Sequence, residues 1–549
     1  MSGPPKVGAG AVRLDWRVLV LALVLRAAVF PFAENKHGDA PMRALIAERT
    51  ARDPAAAADP RAYCQFGPLH LALMRPFLLV DEETPRASRY LSLLAGLATF
   101  FPFFALASRL AGARAATLAA LALAVSPLHV QVSTTAASEA LYLLLFVAML
   151  ERLTRALEDD AAPLGVYAAA GALASLAAVT RYDAWVSLPA AAGAAWIFAR
   201  GPSGPARVRR VRGLLVFGLV AAVLPAAWVA WSAARTDDPI FFFHYITNDH
   251  AQLAAAALER YGAVLGRARQ LGIWALALAA AMTPVLLFVL LGRALTPRGG
   301  EREEALHLAP QTGESERSAA LPRGARGAGV RERQRAGPRQ DARSVTEGRR
   351  VRGAALVALV AALAPPALYL GQGVLRLAFE PLPRFALVPG TLLLPFAAAL
   401  VPPAREAAAR AGVVLSALAF AATVWLVATV GRPRLWGGAE SLGALTRLDA
   451  EDRALAAHLR AHRAPGDRVM IQPFGYDEIA ILAEARVPAA EAITLSVTRT
   501  PGPTVAETRR TTGARWLVGR ADGPDAWTRL LPDWPRDAVE LGRWRLLGP

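Results

Sequence analysis

The sequence predicts a mainly α-helical, polytopic membrane protein with a small α/β unit at its C-terminus. Apolar residues make up 54% of the 549 residues, charged residues only 19%, and the mean hydropathy is +0.33. Apolar runs of about 20 residues recur along the chain, which is the length that spans a bilayer. Beyond residue 431 the pattern changes to short helix and strand signals. These observations exclude a disordered, collagen-like or coiled-coil chain.

The apolar runs predict eleven membrane-spanning helices. The stretch at 66–80 is also apolar, but Pro68, Arg75 and Pro76 interrupt it, so it is predicted to be an interfacial or re-entrant segment covered by protein. The predicted spans lie near residues 15–33, 87–107, 114–131, 138–155, 163–180, 184–199, 213–233, 271–293, 353–370, 385–402 and 411–430.

Arginines in the short loops predict the orientation. They concentrate on the side that is cytoplasmic if the N-terminus is inside, and an odd number of spans then places the C-terminus outside. This leaves a long outer loop at 34–86, with an amphipathic stretch from Pro41 to Thr50. The basic loop at 294–352 is predicted to be cytoplasmic and disordered.

The net charge of +17 is explained by these cytoplasmic loops, so no nucleic-acid partner is predicted. Nearly all the basic residues are arginines, which together with the alanine content suggests a bacterial chain. The expected location is the bacterial inner (plasma) membrane. The single cysteine, Cys64, excludes an intrachain disulfide.

The chain divides into a transmembrane domain at 1–431 and an outer α/β domain at 432–549. In the second, Leu448 to Arg463 has helical spacing, and a Pro-Gly-Asp turn follows it. The segments 468–472 and 515–519 have the composition of strands. About 118 residues suffice for one small domain, periplasmic or extracellular in the predicted topology.

Motifs typical of soluble enzymes are absent from the sequence, including a P-loop, H-E-x-x-H and a G-x-S-x-G triad. Eight scattered histidines and one cysteine do not predict a metal site, and no cofactor is expected.

Polar residues at the outer ends of the predicted spans are the candidate functional residues. Asp39 follows the first span within His37-Gly-Asp-Ala-Pro-Met-Arg43, where it is either a helix N-cap or a base whose pKa is tuned by partial burial. Gln65 and His70 flank a Gly-Pro turn that opens the interrupted apolar segment. Both could equally be ordinary loop residues.

Three further charged residues stand at similar positions. Glu139 begins a span after Ser138, where capping is an alternative to function. Arg181 lies in the tight turn Arg-Tyr-Asp183, where a local ion pair is the alternative. Arg384 enters the tenth span from the outside. It either reaches to the interface or contacts phosphate, because guanidinium matches phosphate oxygens.

Together these segments resemble the GT-C superfamily of integral-membrane glycosyltransferases. The resemblance rests on Asp39, Gln65-Phe-Gly-Pro-Leu, the block from Ser126 to Tyr142 and Pro-Arg384-Phe. The branch that looks most alike contains protein O-mannosyltransferases and aminoarabinose lipid A transferases, and the likeness covers roughly residues 13–431. The first loop of such proteins often has two adjacent acids, whereas here Ala40 follows Asp39. Metal ligation by such a pair is therefore in doubt.

The resemblance implies transfer of a sugar from a polyprenyl-phosphate donor to an acceptor hydroxyl at the outer face of the membrane. The acceptor would be a lipid, a glycan or a protein. Asp39 would take the proton from the acceptor, and Arg384 and Arg181 would stabilise the phosphate that remains on the carrier. One direct displacement would invert the anomeric centre. The acceptor cleft is expected to include polar residues of the loop 234–270, namely His244, Asn248 and Asp249.

Two other classes of function stay open from the sequence alone. One is a transporter or flippase of lipid-linked sugars, although charged pairs within the spans and repeated broken helices are absent from the sequence. The other is a non-catalytic membrane scaffold that displays the C-terminal domain. A scaffold would have no need for Asp39.

The predicted topology can be tested with reporter fusions. Alkaline phosphatase fused after Gly438 should be active, because the C-terminal domain is predicted to lie outside, and a fusion after Gly313 should be inactive. Colony activity and matched expression blots give the measurement. The reverse pattern would contradict the orientation.

Overall fold

The computed structural model describes most of the chain, and the predicted span 411–430, His37 and nearly all of the basic loop lie outside the described residues. The described residues are 14–33, 35, 39–81, 83–200, 204–295, 353–375, 383–401, 448–471, 478–494, 505–520 and 538–549.

The first part of the chain is helical almost throughout. The helices are α1 Trp16–Val29, α2 Ala40–Arg52, α3 Pro54–Ala57, α4 Pro68–Val80, α5 Thr84–Ala98, α6 Phe100–Val125, α7 Pro127–Thr134, α8 Glu139–Glu158, α9 Leu164–Ala178, α10 Ala184–Ala199, α11 Pro205–Thr236, α12 Phe241–Leu295, α13 Gly353–Leu375 and α14 Leu387–Ala399. Three short 3-10 turns lie at Phe30–Phe32, Pro60–Tyr63 and Pro383–Ala386.

Three stretches of the described chain are long and apolar enough to cross a membrane: Thr84–Val125, Pro205–Thr236 and Gly353–Leu375. The pair α7 and α8 is a fourth if it counts as one span, although the two helices meet at 114°. Within the first stretch, Gly112 adopts a φ of 83° and breaks the helix between the two spans that the sequence predicts there. The total of eleven spans remains a prediction.

Small residues allow the helices to pack closely. A side chain at Gly171 of α9 would lie 2.7 Å from the backbone oxygen of Phe217 in α11, and one at Gly213 of α11 would lie 2.5 Å from the Tyr167 ring. Such close contact between backbones is typical of helices within membranes. The opposite face of α11 exposes Leu215, Leu219 and Val223. This apolar surface is suited to contact with lipid.

The segment that follows α1 packs against other helices of this part of the chain. The predicted amphipathic stretch is α2, but its residues are buried on nearly all sides, including Arg43 and Glu48. The interrupted apolar stretch is α4, which begins at Pro68. The amide of Leu69 donates to the backbone oxygen of Val179, at 3.1 Å, so the start of α4 is attached to the turn between α9 and α10.

The C-terminal unit contains the predicted sheet. Its five strands have the order β2-β1-β3-β5-β4, in which β1 is parallel to β2 and β3, and β5 is antiparallel to β3 and β4. The elements are α15 Ala450–His462, β1 Arg468–Ile471, α16 Ile479–Glu484, β2 Ala492–Thr494, α17 Val505–Thr512, β3 Ala514–Arg520, β4 Val539–Leu541 and β5 Trp544–Leu547. The predicted helix and both predicted strands are confirmed. The boundary at residue 432 remains a prediction.

Gly67 should not tolerate a side chain. A Cβ at this position would lie 2.5 Å from the backbone oxygens of both Val179 and Thr180, closer than van der Waals contact permits. We expect Gly67→Ala to destabilise the protein by about 1–3 kcal/mol, since overpacked sites cost this much, and to lower activity by displacing the turn at 179–183.

The matched control is Gly193→Ala in α10, where nothing lies within 4 Å of the added atom. Melting temperatures of the two variants in detergent give the comparison. An equal effect of the two substitutions would show that the contact at Gly67 is not tight.

Candidate functional site

Asp39 precedes α2, but its side chain does not cap this helix. The side chain makes no capping hydrogen bond. Its Oδ1 instead accepts from Nη2 of Arg384 at 3.0 Å, and its Oδ2 lies 3.6 Å from Nη2 of Arg43. Asp39 is therefore held between Arg43, one helical turn away, and Arg384, which is 345 positions further along the chain.

Arg384 connects Asp39 to a second carboxylate. It lies in the 3-10 turn Pro383–Ala386, and its side chain is only 6% exposed. Besides Asp39, its Nε lies 3.2 Å from Oε1 of Glu139. An arginine that only reached to the membrane interface would keep its head in water. Arg384 instead lies in the interior, between two acids.

Glu139 and the turn 181–183 complete the cluster. Glu139 is the first residue of α8, and its Oε1 also accepts from Nη1 of Arg181 at 2.5 Å. The Nε of Arg181 donates to Asp183 at 2.6 Å, and the hydroxyl of Tyr369 in α13 donates to the other oxygen of Asp183. Ser138 provides no side-chain cap to α8. Its hydroxyl accepts from Arg181.

Six charged side chains thus form one ion-pair cluster, with three guanidinium groups opposite three carboxylates. They come from four separate parts of the chain, and none is largely exposed. The members of this charged cluster are Asp39, Arg43, Glu139, Arg181, Asp183 and Arg384.

A crevice that opens to solvent lies beside the charged cluster. Its polar lining includes Glu139, Arg181 and Arg384 of the cluster. Asp183 of the cluster and the tyrosines Tyr142 and Tyr369 line it as well. The apolar part of the lining comes from α13, the turn that contains Arg384 and the start of α14, with Pro365, Phe385, Leu387, Val388 and Pro389. A crevice with this lining suits a ligand that has an anionic head and an apolar tail.

The charges of the cluster stabilise one another. Burial alone would raise the pKa of Asp39, but Arg384 and Arg43 outweigh it and hold that pKa below the usual value of 3.8. Burial alone would lower the pKa of Arg181, but Asp183 and Glu139 raise it above its usual value. Asp39 and Arg181 therefore stay charged at neutral pH.

The remaining predicted residues occupy different surroundings. His70 of α4 is fully buried within electrostatic range of Arg43, and Gln65 is partly buried in the turn before α4. His244 is not brought to the cluster, since its imidazole is 65% exposed and pairs with Asp238 at 2.8 Å. Asn248 and Asp249 lie in α12, which begins at Phe241, so most of the predicted loop 234–270 is helical. His37 falls outside the described residues.

Four residues of the site were not predicted, two of which are members of the charged cluster and two of which lie beside it. Arg43 and Asp183 stand in the motifs that contain Asp39 and Arg181, but sequence spacing does not show that they share one cluster. Tyr369 lies within an apolar span. His250 is placed with its ring 6.3 Å from that of Phe385, and burial and the charge of Arg384 lower its pKa to about 4. In this segment the sequence predicted His244, Asn248 and Asp249 as site residues, but not His250.

Comparison with known proteins relates this architecture to membrane glycosyltransferases. Residues 65–231 match the family described as dolichyl-phosphate-mannose-protein mannosyltransferase. The fold is similar to that of ArnT from Cupriavidus metallidurans bound to undecaprenyl phosphate, with a TM-score of 0.55 and 14% identity over 97% of this chain and 99% of that one. The resemblance to the GT-C superfamily is confirmed.

A second GT-C structure is an oligosaccharyltransferase from Archaeoglobus fulgidus in complex with zinc and sulfate. It aligns with a TM-score of 0.49 and 13% identity, over 92% of this chain and 68% of that one. No curated protein sequence matches the chain. The segment that matches the mannosyltransferase family contains Gln65, His70, Glu139 and Arg181, whereas Asp39 and Arg384 lie on either side of it.

Among the described residues, no group of three or more His, Cys, Asp or Glu side chains is placed to hold a metal ion. The carboxylates of the charged cluster are already paired with arginines.

Asp39→Asn should make the stability of the protein less sensitive to acid. The folded-state pKa of Asp39 is lowered, so its ion pairs contribute stability above the unfolded-state pKa and lose it as the pH falls through the folded-state pKa. Melting temperatures measured from about pH 6 to about pH 3 should therefore fall more steeply for the wild type. Glu83→Gln, which removes an exposed carboxylate, is the control. Parallel curves for wild type and Asp39→Asn would contradict the lowered pKa.

Proposed function

We propose that this protein transfers a sugar from a polyprenyl-phosphate donor to an acceptor hydroxyl at the outer face of a bacterial inner membrane, with inversion at the anomeric carbon. The observation that carries the proposal is the charged cluster beside a crevice with apolar walls. It provides a base, cations for a phosphate and a surface for a lipid tail within one small region.

In this proposal the phosphate of the donor contacts Arg384 and Arg181. Guanidinium groups match phosphate oxygens in geometry and charge. Both arginines line the crevice, and Glu139 contacts both of them, so their relative position is set before the donor arrives. Such preorganised charges stabilise a transition state without the cost of reorganisation.

The apolar residues of the crevice receive the first isoprene units of the carrier. Leu387, Val388 and Pro389 immediately follow the turn that contains Arg384. A phosphate held at Arg384 would therefore have apolar surface directly beside it. The likeness in fold to ArnT, which was crystallised with undecaprenyl phosphate, supports a donor of this class.

Asp39 acts as the base in this mechanism. It accepts the proton of the acceptor hydroxyl while that oxygen forms a bond to C1 of the sugar. The bond between C1 and the phosphate oxygen breaks, and its electron pair leaves with the polyprenyl phosphate. One displacement of this kind inverts C1, and Arg384 and Arg181 balance the charge that develops on the leaving phosphate.

The charge balance of the cluster suggests how the base becomes available. Its three carboxylates and three guanidinium groups are neutral together, so a donor phosphate adds uncompensated negative charge. Donor phosphate and Asp39 would then compete for Arg384. Phosphate binding would weaken the ion pair that keeps Asp39 a poor base, and the carboxylate would turn to the acceptor.

Substitutions of Asp39 and Arg384 should separate binding from chemistry. Asp39→Asn keeps the shape but removes the proton acceptor, so single-turnover transfer from a radiolabelled polyprenyl-phosphate sugar should fall about 10²- to 10⁴-fold. Donor affinity should stay equal or become tighter, because one competing anion is gone. Arg384→Ala should weaken donor binding and transfer together, and Arg384→Lys should restore only part of both.

Arg86→Ala is the control, since this arginine is 48% exposed and pairs with Asp81 and Glu83 outside the cluster. Wild-type transfer by Asp39→Asn would remove Asp39 from the mechanism. Unchanged donor binding in Arg384→Ala would remove the phosphate contact. Movement of lipid-linked sugar across vesicles without transfer would favour a flippase instead.

A further inference from the structure

The helix α2, which follows Asp39, is enclosed by protein. Ten of its thirteen residues are buried, including the charged Arg43 and Glu48. An amphipathic helix that rests on a membrane surface keeps one polar face in water. In α2, the face that would be wet must therefore be covered by another part of the chain.

The C-terminal unit provides this cover. The helix α2 packs against α4 and α5 and also against α16 of the C-terminal unit. A single apolar core extends across this boundary. It contains Leu45 and Ile46 of α2 together with Ile481 and Leu482 of α16.

Arg49 adds a polar connection to this interface. Its Nη2 donates to the backbone oxygen of Ala492 at 2.9 Å and to that of Ala489 at 3.4 Å, and both oxygens lie where the chain enters β2. Arg49 makes these contacts across more than 430 residues of sequence. Bonds from a charged donor are stronger than neutral ones, so they fix the far end of α2 to the sheet.

We propose that the C-terminal unit is a positioning element for the candidate base, and that Arg49 is the positioning residue which holds α2, and with it Asp39, in place. This proposal rests on the function proposed above. It assigns to the C-terminal unit a role in the geometry of the reaction, with no contact between Arg49 and substrate.

The geometry of a helix makes Asp39 sensitive to the far end of α2. Asp39 and Arg49 are ten residues apart, or about 15 Å along the axis. A tilt of roughly 4° about the Arg49 end would move Asp39 by about 1 Å. A displacement of that size at a reacting group can lower a rate on the order of 10²-fold.

Arg49→Ala tests the proposal in the full-length protein in detergent. We expect kcat for sugar transfer to fall about 10- to 100-fold, while the donor Kd stays within about threefold. Amide hydrogen exchange in residues 40–47 should rise, and exchange in α8 and α9 should not change. Arg49→Lys keeps the charge and should restore part of kcat and of the protection.

The matched control is Arg52→Ala on the same helix, because Arg52 is 60% exposed and forms an ion pair with Glu48 of α2 itself, at 3.5 Å. It should behave as the wild type. Wild-type kcat and exchange in Arg49→Ala would overturn the proposal, as would an equal loss in Arg52→Ala. If the wild type transfers no sugar, the proposed function fails, and the exchange measurement alone still decides whether Arg49 holds α2.

Discussion

The contact on which the site depends is that of Arg384 with Asp39 and Glu139. Removing a charge from water costs several kcal/mol, and the cost is recovered only when opposite charges and hydrogen bonds surround it. Arg384 meets this requirement by joining the residue before α2 to the first residue of α8. The same contact holds the turn before α14 against the residue before α2 and the first residue of α8. It thereby helps to position the side chains that face the crevice.

The pairing of positive and negative charges in the cluster matters both for the stability of the fold and for the proposed chemistry. Among the described residues, three acids face three arginines, and this mutual compensation allows six charges to remain in the interior. The arrangement also keeps the arginines charged and correctly spaced for an incoming anion. A site built only from arginines would attract phosphate more strongly, but mutual repulsion would displace its members when phosphate was absent.

The sequence predicted the local features well because each depends on neighbouring residues. Apolar runs predicted α8, α9 and α10, and the strand composition at 468–472 and 515–519 predicted β1 and β3. The sequence did not predict the helix that begins at Phe241 in α12, where a loop at 234–270 was expected. It did not predict that α2 is buried, because the covering helix α16 lies more than 400 residues away. The contacts of Asp39 and Glu139 with Arg384 have the same character: each residue is visible in the sequence, but their convergence depends on the packing of distant helices.

Burial and pairing distinguish the three carboxylates of the cluster, although their charges are the same. Glu139 is 7% exposed and Asp183 is 14% exposed, and both contact Arg181. They are already engaged in holding Arg181, which the proposed phosphate contact requires. Asp39 is 18% exposed, and its contacts with Arg384 and Arg43 are longer, at 3.0 and 3.6 Å. A base must leave its partners to reach the acceptor proton, and Asp39 is the carboxylate that loses least by doing so. Charge alone does not distinguish the three acids. Asp39 is therefore proposed as the base because its arginine partners hold it least tightly.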